Sequence, residues 1–267
     1  MPTTRVRDLD MYYEDSARGE PVVYISGITA DHLIWKPFQL PAFTQAGYRC
    51  LIFDNRDVGR TGESGRGDYT TADFAEDTFG LMDKVGIESA HVVGYSMGGM
   101  IAQEMTLARP QRVRSLTLLA TAPRPDAYLT ALLRSLIPAK RHLTREDFTW
   151  TLGLRVFTHR FFANPEAVKA WQDRVLGHPY PQSADSFVRQ AEAVLQHDSL
   201  DRLGAIRVPT HVMVGDEDIL VPPRHSRILA ERIAGARLTE ISEAGHVPFM
   251  EKAAEFNRSV LEFISRH

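Results

Sequence analysis

Short apolar runs separated by helix-length segments constrain this chain more than any other feature. VVYI (22–25), CLIF (50–53), HVVGY (91–95) and SLTLLA (115–120) are β-branched or apolar on both faces. Such runs belong to strands buried in a parallel sheet with helices on each side. The segment TTADFAEDTFGLMDKVGI between the second and third runs opens on Thr70 and Thr71 as caps and stops near Gly86, so it reads as a crossover helix. The opening RVRDLDMYYED, followed by Gly19 and Pro21, predicts a short hairpin at the sheet edge. The alternation resumes late, with HVMVGD (211–216), a helix starting near Pro223, RLTEIS (237–242) and an amphipathic helix over 252–264. The expected fold is α/β: a mostly parallel, twisted sheet of about eight strands with helices on both faces.

One interruption breaks the pattern. Residues 124–206 offer helical punctuation and no strand: Thr144 before REDF, Asn164-Pro165-Glu166 as cap and first turn, Gly177 as a stop, and a last helix over 183–197. The expected organisation is a core made of 1–123 and 207–267, with 124–206 as a helical cap. A length of 267 residues suits one α/β core of this kind.

Composition narrows the function. A formal net charge of -3, a pI near 6.4 and no Lys/Arg block argue against nucleic acid as a partner. Cys50 is the single cysteine, so no intramolecular disulfide can form and a thiolate metal site is not expected, which suits a reducing cytoplasm. No apolar run reaches the length of a membrane span, and the charged start has no signal-like apolar stretch. These features lead to the expectation of a cytoplasmic protein with neither membrane nor nucleic-acid partner.

The stretch HVVGYSMGGMIAQEM places Ser96 among Gly94, Gly98 and Gly99 where a strand becomes a helix. A turn that abrupt forces unusual backbone angles, and glycines remove the clashes that would forbid it. It lifts the Ser96 hydroxyl above the carboxyl ends of the strands and leaves the Met97 NH at a helix start. A glycine-flanked serine alone is a weak signal, because such a turn also serves as a plain connector. Here the apolar strand before it and the helix after it, ended by Pro110, supply the context that a nucleophile requires.

A serine nucleophile needs a base, usually a histidine oriented by a carboxylate. Among ten histidines, His246 in SEAGHVPFMEKAAEF follows a strand and precedes the last helix, with Gly245 leaving it room. For the carboxylate, VGDEDILVPP offers Asp216 and Asp218. Asp218 is the choice, because Asp216 lies closer to the strand end and suits hydrogen bonding to loop backbone, while Glu217 faces solvent. Asp126, beyond the strand ending in LLATAP, is a third candidate.

The order Ser96, Asp218, His246, with the hairpin, SGIT, FDNRDVGRTG, GYSMGG, the helical insertion, GDEDILVPP and AGHVPFMEKAAEF, resembles the α/β-hydrolase fold superfamily over nearly the whole chain. The nearest likeness is to bacterial carboxylesterase and lactonase branches, including 3-oxoadipate enol-lactonases. The resemblance implies an oxyanion hole from the NH groups of Met97 and Ile28. Many relatives have His-Gly in that loop, where this chain has Ser26-Gly27. It also implies a cofactor-independent, metal-free hydrolase that opens a small-molecule ester or lactone through an acyl-enzyme. Carbon–carbon bond hydrolases, hydroxynitrile lyases, perhydrolases, cofactor-free dioxygenases and a triad-retaining receptor share the fold and triad. Asp54, Arg56 and Asp57 read as structural ion pairs and turn formers. Cap aromatics Trp150, Phe157, Phe161, Phe162 and Trp171 pack the cap, and some face the cleft. His32, Trp35, Trp150 and Phe157 are the pocket candidates.

Overall fold

The computed structural model describes residues 3–65 and 67–267, so the first two residues of the expected core span and position 66 lie outside the described residues. Eight strands form one sheet: β1 (Thr3–Val6), β2 (Leu9–Asp15), β3 (Glu20–Ile25), β4 (Tyr48–Phe53), β5 (Ala90–Tyr95), β6 (Val113–Leu119), β7 (Thr210–Gly215) and β8 (Arg237–Ile241). Their spatial order is β1-β2-β4-β3-β5-β6-β7-β8. β1 and β2 make the expected hairpin, and β2 runs antiparallel to β4; every later pair is parallel. All six residues of β5 and all six of β7 are buried, as two-sided coverage demands.

The helices are α1 (Gln39–Gln45), α2 (Thr71–Lys84), α3 (Met97–Ala108), α4 (Ala127–His142), α5 (Arg145–Val156), α6 (His159–Phe162), α7 (Pro165–Leu176), α8 (Ala184–Leu195), α9 (Pro223–Arg232), α10 (Pro248–Glu251) and α11 (Ala253–Ile264). Their starts follow the punctuation in the sequence. The Thr70 side chain meets the Asp73 backbone while the Asp73 carboxylate returns to the Thr70 NH, a reciprocal cap. Thr144, Asn164 and Ser183 accept from the NH groups of Asp147, Ala167 and Ser186.

Helices α4 to α8 all lie between β6 and β7, and no described residue of that stretch is a strand. Two of them share the central core, since Leu129, Leu133, Ala193 and Val194 pack in one cluster with strand residues such as Leu118 and Val212. Side chains also stitch the segment down. Asp57 takes both arms of the Arg189 guanidinium at 2.8 and 2.9 Å, besides the Tyr69 hydroxyl. Gln190 donates to the Arg56 carbonyl at 2.8 Å and accepts the Thr29 NH at 3.1 Å. Arg56 itself is fully buried against Asp77, at 2.6 and 2.9 Å. Arg56 and Asp57 are thus engaged in the scaffold, as is Asp54, whose carboxylate accepts the NH groups of His32 and Arg60, both at 2.8 Å.

Three histidines set an acid limit on the fold. Burial, first through lost hydration, holds His91 at about 4, His197 at about 4 and His211 at about 3. An unfolded chain binds these protons below about pH 6.5, the ordinary imidazole value, whereas the folded chain refuses them. Stability from these groups is therefore complete above that value and falls as pH drops toward 4, by at most about 1.4 kcal/mol per pH unit per histidine. Urea unfolding from pH 7.5 to 5 is expected to show a smaller loss in His211→Gln than in wild type; an identical slope would refute the assignment to His211.

Candidate active site

The backbone at Ser96 carries the geometry that the glycines foretell. Its φ is +55° and ψ −118°, a strained conformation for a residue with a side chain. Two close approaches make the turn possible. A Cβ on Gly94 would stand 2.4 Å from the Gly98 carbonyl oxygen, and one on Gly98 would stand 2.1 Å from the Ile25 carbonyl oxygen, so only glycine fits either position. The Thr121 hydroxyl donates to the Ser96 carbonyl at 2.7 Å and fixes the turn from below.

Three side chains from three loops converge there. Ser96 Oγ lies 3.0 Å from His246 Nε2, and His246 Nδ1 lies 2.8 Å from Asp218 Oδ2. The other carboxylate oxygen of Asp218 accepts the NH groups of Leu220 and Val221, both at 2.9 Å. Asp218 and His246 are each 2 % exposed. A carboxylate so fixed holds the proton on Nδ1 and leaves Nε2 free to accept one, an arrangement able to draw the hydroxyl proton of Ser96. Asp216 is engaged elsewhere, accepting the Glu243 NH at 2.7 Å. Its backbone partner lies across in the loop after β8 instead of within its own turn. Asp126 caps α4 through the Leu129 NH and pairs with Arg224. Glu217, exposed, meets Arg160 at 2.8 Å.

Glu251, which no sequence motif announces, supports the site from the side. One of its oxygens accepts the Gly245 NH at 2.7 Å, and the other takes the NH and hydroxyl of Thr158 at 3.0 and 2.7 Å. It therefore ties the loop carrying His246 to the end of α5. The His246 NH adds a second tie, donating to the Val156 carbonyl at 2.8 Å.

Ser96 and His246 open into a cavity of about 250 Å³ between the sheet loops and helices α4, α5 and α7. Its wall is mainly apolar, with Ile28, Phe148, Leu152, Phe157 and Trp171 among the contributors. Of the four pocket candidates, Phe157 is on this wall, stacked on Phe161 with centroids 3.8 Å apart. The other three are elsewhere. His32 is buried with Nδ1 2.6 Å from Asp54, because that carboxylate also takes its backbone NH. Trp35 is fully buried beneath the site, donating its indole NH to Ser26 Oγ at 3.0 Å. That bond links Ser26, at the start of the loop after β3, to the core. Trp150 packs on Phe162 and Trp171 within the helical segment. Trp171, which the sequence offered only as one of five cap aromatics and not as a pocket candidate, also lines the wall, as do Lys140, Arg145, Arg174 and His178, which the sequence does not single out.

Among the described residues, Asp31, His32 and Asp54 are the one group with metal-ligating atoms within 4.8 Å of one another. Those atoms already bond to protein: His32 to Asp54, the second Asp54 oxygen to the Arg60 NH at 2.8 Å, and Asp31 to the Leu33 NH and His178. No described helix is long and apolar enough to cross a membrane.

A mostly parallel eight-stranded sheet with a serine at a strand-to-helix elbow and a histidine–aspartate pair beyond later strands defines a hydrolase class of enzyme. The chain belongs to the α/β-hydrolase fold family, whose model matches residues 20–253. A Mycobacterium tuberculosis protein provisionally named non-heme bromoperoxidase BpoC is 32% identical over 96% of this chain and 98% of its own. An Azorhizobium caulinodans protein provisionally named carbamate hydrolase RutD is 31% identical over 98% of each chain. The enol-lactonase of Burkholderia xenovorans LB400 superposes with a TM-score of 0.89, at 25% identity over 99% of this chain and 100% of its own.

Proposed function

We propose that this enzyme hydrolyses a carboxylic ester or lactone through an acyl-enzyme on Ser96. The observation that carries the reading is the Ser96–His246–Asp218 chain of contacts, at 3.0 and 2.8 Å, at the floor of a largely apolar cavity. Ser96 Oγ attacks the carbonyl carbon while His246 Nε2 takes its proton. The carbonyl oxygen becomes an oxyanion, which the NH groups of Met97 and Ile28 stabilise. Collapse breaks the bond to the alcohol oxygen, which leaves with the proton from His246. Water then gives a proton to His246 and adds to the acyl carbon; collapse breaks the bond to Ser96 Oγ, which takes that proton back from His246 as the acid leaves. Asp218 keeps the imidazole in the productive tautomer and balances its charge.

Residues 124–206 act as a cap whose inner face shapes the pocket, in keeping with the lining supplied by α4, α5 and α7. The substrate is a small molecule, as the cavity and the hydrolase relatives suggest. Carbamate cleavage is a second reading, favoured by the relatives named carbamate hydrolase; it uses the same attack on a different carbonyl.

The test is steady-state hydrolysis of p-nitrophenyl esters, simple lactones and carbamates, followed by labelling with a p-nitrophenyl phosphonate and peptide mapping. Repeated turnover and a single adduct on Ser96 are expected. A folded enzyme that turns over none of these substrates, or carries the label elsewhere, would remove the reading.

A further inference from the structure

The loop that follows β3 stands against the nucleophile. A Cβ on Gly27 would lie 3.0 Å from Ser96 Cβ, and Ile28 and Thr29 line the cavity with Ser96. Residues 27–30 form a tight turn, closed by the Ala30 NH on the Gly27 carbonyl at 3.3 Å. Thr29, third in the turn, has a φ of +66°, whereas Ile28, the second, has a negative one. That is the type II pattern, which normally places Gly or Asn third. A β-branched residue there is strained, so contacts from outside the turn must hold it.

The ends of the loop are fixed by the core. Asn55 donates to the Ser26 carbonyl at 3.1 Å, and Ser26 Oγ donates to the Asp31 carbonyl at 3.2 Å. The middle is held from the helical segment instead, by Gln190 of α8, which is fully buried. Its Oε1 accepts the Thr29 NH at 3.1 Å and Gln182 Nε2 at 2.9 Å, while its Nε2 donates to the Arg56 carbonyl at 2.8 Å. Gln182 and Arg56 thereby orient the amide so that its oxygen, and not its nitrogen, faces Thr29. The neighbouring pair of Arg189 with Asp57 docks α8 without help from this amide.

We infer that Gln190 is a positioning residue for the reaction: by holding the Thr29 NH it keeps the turn in its strained form and the Ile28 NH aimed at the oxyanion. A flip of the Ile28–Thr29 peptide would take Thr29 to a negative φ and relieve the strain. It would also turn the Ile28 carbonyl toward Gln190 Oε1, acceptor against acceptor, which opposes the flip. With both ends of the loop fixed, a flipped peptide is absorbed around Ile28, and its NH loses its aim. This inference rests on the ester or lactone reading, in which the Ile28 NH meets the oxyanion.

The test follows p-nitrophenyl acetate turnover and inhibition by a benzyl trifluoromethyl ketone in wild type and variants, with folding checked by circular dichroism. Ser96 Oγ adds to the ketone carbon as His246 takes its proton, leaving a hemiketal oxyanion where the reaction's own would form. In Gln190→Met, kcat is expected to fall about tenfold to a hundredfold, less than the loss of a whole donor at the upper end of its range. KM and the acid limb of the pH profile should hold, and the ketone's inhibition constant should rise by about the factor that kcat falls. Gln190→Glu keeps an oxygen for the Thr29 NH and loses the donor to Arg56, so it should retain more kcat than Gln190→Met. Adding Thr29→Gly to Gln190→Met should return most of the lost kcat, because glycine takes a positive φ without help. If Gln190→Met does not fold, Gln190→Asn, whose amide falls one methylene short of Thr29, takes its place with the same expectations. Unchanged kcat and ketone affinity in a folded Gln190→Met would overturn the inference and leave the hydrolase reading standing. A loss of kcat that Thr29→Gly does not restore would overturn it too, assigning Gln190 to the packing of α8. A wild type that neither turns over the ester nor binds the ketone would remove both readings.

Discussion

Ser96→Ala is expected to lower kcat for ester hydrolysis by roughly 10⁵ to 10⁶-fold, the scale seen when a serine nucleophile is removed from a triad. The loss concerns chemistry alone. What holds the turn is backbone: the Ser96 NH donates to the Leu119 carbonyl at 2.9 Å and its carbonyl accepts from Thr121, so deleting Oγ leaves the elbow supported. Among the described residues, the only bond given up is the one to His246 Nε2. The variant should thus melt close to wild type while losing turnover and phosphonate labelling together. Residual turnover within about a hundredfold of wild type would mean that the attacking group is another, since binding and an oxyanion hole without the nucleophile retain far less.

Asp218→Asn carries the second largest effect, about 10⁴-fold in kcat. The substitution preserves shape, and the amide oxygen can still accept the NH groups of Leu220 and Val221, which takes the position now held by Oδ1. The amide nitrogen then faces His246 Nδ1 and donates where the carboxylate accepted. That reverses the tautomer, placing the imidazole proton on Nε2, where it cannot receive one from Ser96. Asp216→Asn is the control, because its carboxylate serves the Glu243 NH and does not reach the imidazole. It should keep kcat within a few-fold, the scale of one solvent-accessible hydrogen bond. Equal losses in the two variants would refute the separate roles.

Much of this was legible in the sequence because the relevant constraints are local. Two-sided apolar runs predict β3 to β7, since a buried parallel strand has no polar face to offer. The elbow is legible because close backbone approach leaves glycine no substitute at Gly94 and Gly98. The choice of Asp218 over Asp216 rests on loop position, a signal that a one-residue offset in strand ends would have blurred. What escaped depends on orientation. Trp35 and Trp150 stand among the pocket candidates, though core packing suits Trp35 equally in sequence; one is sealed beneath the site and the other packs within the helical segment. His32 follows the loop after β3 but turns to a carboxylate 22 residues away, which nothing in its neighbourhood announces. Arg174 and Lys140 escaped for the complementary reason: a cation on an amphipathic helix looks the same in sequence whether it meets water or a cavity.

The tie between the His246 NH and the Val156 carbonyl has a mechanical meaning. Val156 is the last residue of α5, a wall of the cavity, and Glu251 clamps the next turn, at Thr158, to Gly245. The wall that encloses a reactant and the loop that presents the imidazole are thus a single lever. Lifting the end of α5 breaks two anchors of the His246 loop at once, so an ajar chamber is also a disarmed one. On the opposite side, Arg189 and Gln190 pin α8 to the core independently of that loop. One edge of the helical segment thus shares its anchors with the His246 loop, while the other edge is held to the core separately.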